Sequence, residues 1–209
     1  MGLFSRSPKT ATTTVAAQPA PAASSAYVSD IAGHYVLDPS HSRLGFSARH
    51  AMVTKVRGSF EEFEGTAHVD TVNPAASSVT VTIAAASVTT GNEQRDGHLK
   101  TPDFFDVENH PSITFVSTKV ARQGAVWSIT GDLTINATTN PVTIDFEETG
   151  SAKDPYGNTR IGFEGATTID RGDWGLAFNA ALETGGVLVS EKVTLEFDIS
   201  AIAQVPAAV

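Results

Sequence analysis

Over most of its length the chain places its apolar residues at every second position. Val79, Val81 and Ile83 alternate with Thr80 and Thr82. Ile129, Leu133 and Ile135 share a face with Gly131, opposite Thr130, Asp132 and Thr134. Val142, Ile144 and Phe146 oppose Thr143, Asp145 and Glu147, and Val193, Leu195, Phe197 and Ile199 oppose Thr194, Glu196, Asp198 and Ser200. A period of two sends successive side chains to opposite faces of an extended strand. One face of each run is therefore apolar and the other wet, as in antiparallel sheet. Turn residues separate the runs: Asp154-Pro155-Tyr156-Gly157-Asn158, Arg122-Gln123-Gly124, Asn73-Pro74 and Asn140-Pro141. Roughly eight to ten strands are expected over residues 34–203. The one helical candidate is 92–99, and with the following Thr101–Asp106 stretch it predicts a short helical cap near 92–106. The octets Phe63–Asp70 and Phe163–Asp170 look alike, which is read as two strands under the same inside/outside demand rather than a duplicated half.

An all-β chain with this many half-apolar strands closes into a barrel or stacks as a sandwich. An antiparallel barrel of about eight strands or slightly more is wide enough to hold one small ligand. The apolar faces supply a candidate lumen lining of Phe46, Phe60, Phe63, Val81, Ile83, Phe104, Phe105, Phe115, Trp127, Ile129, Leu133, Phe146, Phe163, Trp174 and Phe197. A lumen filled with rings is plugged, whereas Ala84, Ala85, Ala86, Gly131, Gly165 and Ala166 leave space between them. Each enclosed methylene contributes about 0.8 kcal/mol, so ten or more give roughly 8 kcal/mol before the cost of ordering the chain.

Composition narrows the function classes. A net charge of −9 argues against nonspecific nucleic-acid binding. The absence of cysteine removes disulfides, thiolate chemistry and zinc–thiolate sites. No apolar run approaches the roughly 18 residues of a membrane-spanning helix. Residues 1–29 carry only Arg6 and Lys9 as charges and are rich in Ala, Thr, Pro and Ser, so they are expected to form a disordered tail ahead of a folded domain at 30–203, with 204–209 a second tail. No apolar segment resembling a secretory signal is seen there, which leads to a cytoplasmic expectation.

The titratable residues offer less. Six histidines invite a metal, but none has HExxH spacing, and no metal site is expected. Arg95-Asp96-Gly97-His98 falls in the cap segment, and with His41 and His50 it forms a candidate polar mouth. Arg95 suits a phosphate or carboxylate head group, but the favoured role of Arg95 and Asp96 is to anchor the loop to the barrel through hydrogen bonds. Glu61, Glu62, Glu64, Glu147 and Glu148 are paired acids best placed on solvated faces. No GxSxG, GxxxxGK(S/T) or GxGxxG sequence occurs, so no cofactor is expected.

Several separated blocks resemble, in order, the YceI-like, polyisoprenoid-binding domain family over about residues 34–202. They are Tyr35–Ser42 with Gly45-Phe46-Ser47 and His50, then Thr90–Leu99, Phe104-Phe105-Asp106, Pro111–Phe115, Gly131–Ile135, Pro141-Val142-Thr143 and Ile169–Gly175. The resemblance implies a lipocalin-like antiparallel barrel that binds a long isoprenoid or other apolar lipid, such as a polyprenyl phosphate or pyrophosphate or an isoprenoid quinone. It also implies a homodimer, and no catalytic residues. Asn136-Ala137-Thr138 departs from the His-Gly pair usual in the family at that turn. A second reading is a hydrolytic enzyme on a lipid-like substrate using His41, His50, Asp96 or His98. A third is an interaction module acting through its outer surface.

Overall fold

A computed structural model describes residues 31–183 and 185–204; the tails expected at 1–29 and 204–209 lie outside the described residues, apart from Gln204. The described strands are β1 (Gly33–Leu37), β2 (Arg43–His50), β3 (Thr54–Phe60), β4 (Phe63–Val69), β5 (Ser78–Ala84), β6 (Val88–Thr89), β7 (Ser112–Gln123), β8 (Val126–Ile135), β9 (Thr138–Lys153), β10 (Thr159–Asp170) and β11 (Val189–Ala203). They resolve into eight staves, because three staves are broken. β1 and β2 both pair with β11, at Leu37↔Ala201 and Arg43↔Asp198, and are halves of one stave interrupted by the 3-10 turn Pro39–His41. β4 pairs with β1 and β3 with β2, on either side of Glu61-Glu62. β5 pairs with β4 and β6 with β3, across the 3-10 turn Ala85–Ser87. Counted by stave, each strand pairs with its neighbours in sequence, and β11 closes on β1 and β2 to complete an antiparallel barrel.

The registers give the barrel two unlike ends. The hairpin end carries residues 70–77, the Gly124 turn between β7 and β8, and the 154–158 turn between β9 and β10. The cap end carries the 51–53 turn, helix α1 (Glu93–Leu99) with its flanks, the Asn136-Ala137 turn and residues 171–188. Ile31, Tyr35, Val69, Val120, Trp127, Ile161 and Ala201 fill the hairpin end. Phe104, Ile113, Ile135, Val142, Trp174 and Leu176 pack at the cap end.

The stave break after β1 is held by a buried charge. The Asp38 carboxylate accepts from the Ser40 amide at 3.1 Å, from His41 Nδ1 at 2.7 Å and from Arg160 of β10. Burial alone would raise its pKa, but the hydrogen bonds from Ser40, Arg160 and His41 outweigh that and hold it well below the usual carboxylate range. Arg160 also binds Asp154, whose pKa is lowered to about 2, chiefly by the Asn158 side chain and, despite an opposing desolvation effect, by Arg160. Asp154 thereby organises the predicted 154–158 turn.

One predicted break is absent. Asn140-Pro141 lies inside β9, with Pro141 opposite Asp132 of β8. The pairing of β9 with β10 starts only at Asp145, so at Pro141 the strand has β8 as its one sheet neighbour. A residue without an N–H is tolerated at such an edge. The look-alike octets fall on β4 and β10, with Phe63, Gly65, Ala67 and Val69 matching the parity of Phe163, Gly165, Thr167 and Ile169.

Candidate functional site: an apolar lumen

The inward residues enclose a cavity that runs along the barrel. Phe46, Phe60, Val81 and Ile83 border it from β2, β3 and β5; Phe115, Trp127, Ile129 and Leu133 from β7 and β8; Phe146, Phe163 and Phe197 from β9, β10 and β11; and Phe104 and Phe105 from the segment after α1. Two residues expected to line the lumen do not. Phe63 is buried against Leu37 and Leu44 beside the stave break. Trp174 is held under the cap, its indole N–H donating to the Leu133 carbonyl at 2.9 Å. Leu44, Ile144, Ile161, Leu195 and Ile199 border the cavity too, and the same period-two parity identifies them.

The small residues act differently from the expectation. A Cβ on Gly58 would collide with the Phe46 ring, one on Gly131 with the Phe115 ring, and one on Gly165 with the Phe146 ring. These glycines let three phenylalanine rings lie against the wall rather than across the axis, so open space remains in a ring-rich barrel. Ala84, Ala85 and Ala86 sit at the stave break instead, and Ala166 faces solvent. The lumen leaves about 260 Å³ open to the centres of water-sized groups. A single water needs only about 10–15 Å³ of occupied volume, so the lumen is far larger than one solvent site.

Polar groups near the lumen are tied up elsewhere. Arg171, 5% exposed, borders the cavity but turns its guanidinium to backbone carbonyls: Nε donates to Ser190 at 3.0 Å, and Nη1 donates to Leu176. Burial lowers its pKa, against the opposing fields of Glu191 and Asp170. It pins residues 171–190 and presents only its methylenes inward. Glu148, expected on a solvated face, is 3% exposed. It shares the inward parity of Val142, Ile144 and Phe146, and it is satisfied by the Trp127 indole N–H at 3.2 Å and Arg122 Nη2 at 3.0 Å. The Arg122 guanidinium lies 4.7 Å from the Trp127 ring centroid. This trio braces the closed hairpin end.

The expected polar mouth does not assemble. His41 sits at the stave break on the barrel wall, bound to Asp38, while His50 ends β2 at the other end of the strand. At a rise of about 3.3 Å per residue the two are over 20 Å apart. Asp96 accepts from the Thr90 amide at 2.8 Å, and Arg95 donates Nε to Thr90 Oγ1 at 2.7 Å and Nη2 to the Thr90 carbonyl at 3.2 Å. Both side chains fasten α1 to the end of β6, and Asn92 caps the helix by accepting from the Arg95 amide. Leu99, the last residue of α1, faces the cavity. His98 is half-exposed, bonded to Asp103 at 2.9 Å and set edge-on to Phe104 and Phe178. The four residues of the hydrolytic reading are thus not brought together. Among the described residues no group of three or more His, Asp or Glu side chains is placed to hold a metal ion. The arrangement can enclose hydrocarbon.

Comparison with known proteins places the chain. The model of the YceI-like domain matches residues 35–201. A UPF0312 protein of Staphylococcus aureus (strain MSSA476) is 40% identical over 164 residues, 78% of this chain and 94% of the relative. A UPF0312 protein of Photorhabdus laumondii is 38% identical over 148 residues, 70% of this chain and 77% of the relative. Among solved structures, the Campylobacter jejuni YCEI protein superposes with a TM-score of 0.65 at 28% identity, covering 75% of this chain and 90% of that one. A polyisoprenoid binding domain from Saccharophagus degradans superposes with a TM-score of 0.62 at 17% identity, covering 81% and 98%; at that identity the likeness is one of fold.

Proposed function

The chain belongs to the YceI-like domain family, and on that premise we propose that its barrel binds and carries an apolar lipid chain of the isoprenoid class. The observation that carries the reading is the lumen: a long cavity lined by hydrocarbon, whose one bordering guanidinium is held by backbone carbonyls. That the Saccharophagus degradans neighbour is a polyisoprenoid binding domain supports the ligand class. The rings and branched aliphatic side chains of the wall suit a methyl-branched chain. The polar residues that border the lumen among the described ones, His68, Ser77 and Arg171, are engaged with backbone groups of Ala76, Asp70, Ser190 and Leu176, so the polar end of the lipid stays at the barrel's mouth and the chain supplies the affinity. At about 0.8 kcal/mol per buried methylene, ten enclosed carbons contribute roughly 8 kcal/mol, which outweighs an ordering cost of several kcal/mol.

A chain-length series tests this. Prenyl alcohols of increasing length are titrated into the protein while Trp127 fluorescence is followed. Affinity is expected to rise steeply with each added isoprene unit until the lumen is filled and then level off. Binding that is absent at every length, or that tracks the head group and ignores the chain, overturns the proposal.

A further inference from the structure

The cap end of the barrel has one feature that lipid enclosure does not use. The 51–53 turn between β2 and β3 projects Met52, 57% exposed, and Val53, 77% exposed, as adjacent apolar side chains. Ala51 and Met52 hold φ of 50° and 61°, the left-handed geometry that sets the turn. Arg49 Nη1 donates to the Val53 carbonyl at 3.3 Å, and the Ala51 amide donates to the Leu188 carbonyl at 2.7 Å, so the tip is fastened on both sides. The hairpin is also basic in a chain of net charge −9: Arg49, Lys55 and Arg57 are exposed, and no Asp or Glu lies between residues 43 and 60. Lys55 reaches Glu196 at 3.7 Å, as Arg43 does at 3.5 Å, but no carboxylate is within ion-pair distance of Arg49 or Arg57 among the described residues. The other strongly exposed apolar residues, Val72 and Tyr156, stand singly at the hairpin end beside Asp70 and Asp154.

We propose that this hairpin tip docks the barrel on an anionic lipid bilayer, Met52 and Val53 entering the interface while Arg49 and Arg57 meet the lipid head groups. Exposed apolar side chains flanked by uncompensated cations suit a negatively charged membrane surface. The tip adjoins the lumen: Ala48, two residues from the end of β2, and Val189, paired with His50, both border the cavity. Docking therefore sets the cap end, rather than the closed hairpin end, against the source of an apolar chain. What is exchanged there rests on the lipid-carrier reading; the docking itself does not.

The test is vesicle flotation of the full chain. Two vesicle types are used, phosphatidylcholine alone and phosphatidylcholine mixed with phosphatidylglycerol. The wild type is expected to float with the mixed vesicles and to remain largely behind with the neutral ones. Arg49→Gln/Arg57→Gln should weaken flotation by roughly thirtyfold, at about 1 kcal/mol per cation. Met52→Asn/Val53→Ser should abolish it, and Asn tolerates the left-handed backbone at position 52, so the turn is kept. Prenyl-alcohol binding without vesicles is measured on every variant and should be unchanged; this separates failure of docking from failure of lipid binding and confirms folding. A wild type that floats with neither vesicle, variants that float as the wild type does, or a tip that instead drives self-association by sedimentation would each overturn the docking proposal.

Discussion

Single residues decide whether this barrel is open or plugged. Gly58, Gly131 and Gly165 lie beneath phenylalanine rings that a Cβ would displace. Glycine is ordinarily a poor strand residue, and here it is the counterpart of a ring folded against the wall. Ala137 shows the opposite case. With Asn136 it makes the two-residue turn between β8 and β9, and it sits at φ of 60° although it has a Cβ. Left-handed backbone costs a non-glycine residue about 1–2 kcal/mol, part of which glycine returns through the freedom of its unfolded chain. Ala137→Gly should therefore raise stability by about 0.5–1 kcal/mol, read as a higher urea midpoint with unchanged slope. The alternation made the inward residues legible one by one, because parity along a strand is a strict rule. Glu148 was obscured by the same reasoning: its parity points inward, but its charge argued for solvent. Burial succeeds because Trp127 and Arg122, distant in sequence, satisfy it.

At the scale of elements, the cap is a separately anchored part. Seven residues are too few for a helix to be stable alone. α1 is held by Asn92 at its N-terminus, by Asp96 and Arg95 on Thr90, and by Leu99 against the lumen. Asp96→Asn weakens the charged acceptor for the Thr90 amide, and about 1 kcal/mol of local stability should go with it. Hydrogen exchange is expected to speed up across residues 90–106 and to stay unchanged in β7–β10; a uniform change over the barrel would contradict a locally anchored cap. The helical cap near 92–106 was visible in the sequence as the one stretch offering a helical candidate. The stave breaks were not, since Asp38-Pro39 reads as an ordinary turn until Arg160 is seen to hold it in line with β2. Pro141 misled for a related reason: whether proline ends a strand depends on how many neighbours the strand has there.

Taken as a whole, the molecule is a closed wall around hydrocarbon, sealed at one end and covered by helix and loop at the other. Closure removes the free edges that an open sheet would expose. It also converts eleven short pairings into one enclosure whose interior is set by parity, which explains why the fold class was readable without any long-range information. The dispersal of His41, Asp96 and His98 is local in origin: each is bonded to a near neighbour in sequence, Asp38, Thr90 and Asp103 respectively, on a different part of the wall or cap. The central claim is that this lumen exists to be filled by a lipid chain. It is tested most directly by mass spectrometry of the purified protein, first native and then after organic extraction, with prenyl alcohol added where the native mass is that of the bare chain. The expected result is one bound apolar molecule per barrel, carrying an isoprenoid mass pattern or, after addition, the mass of the added alcohol. A bare mass that persists in the presence of excess prenyl alcohol would contradict the account.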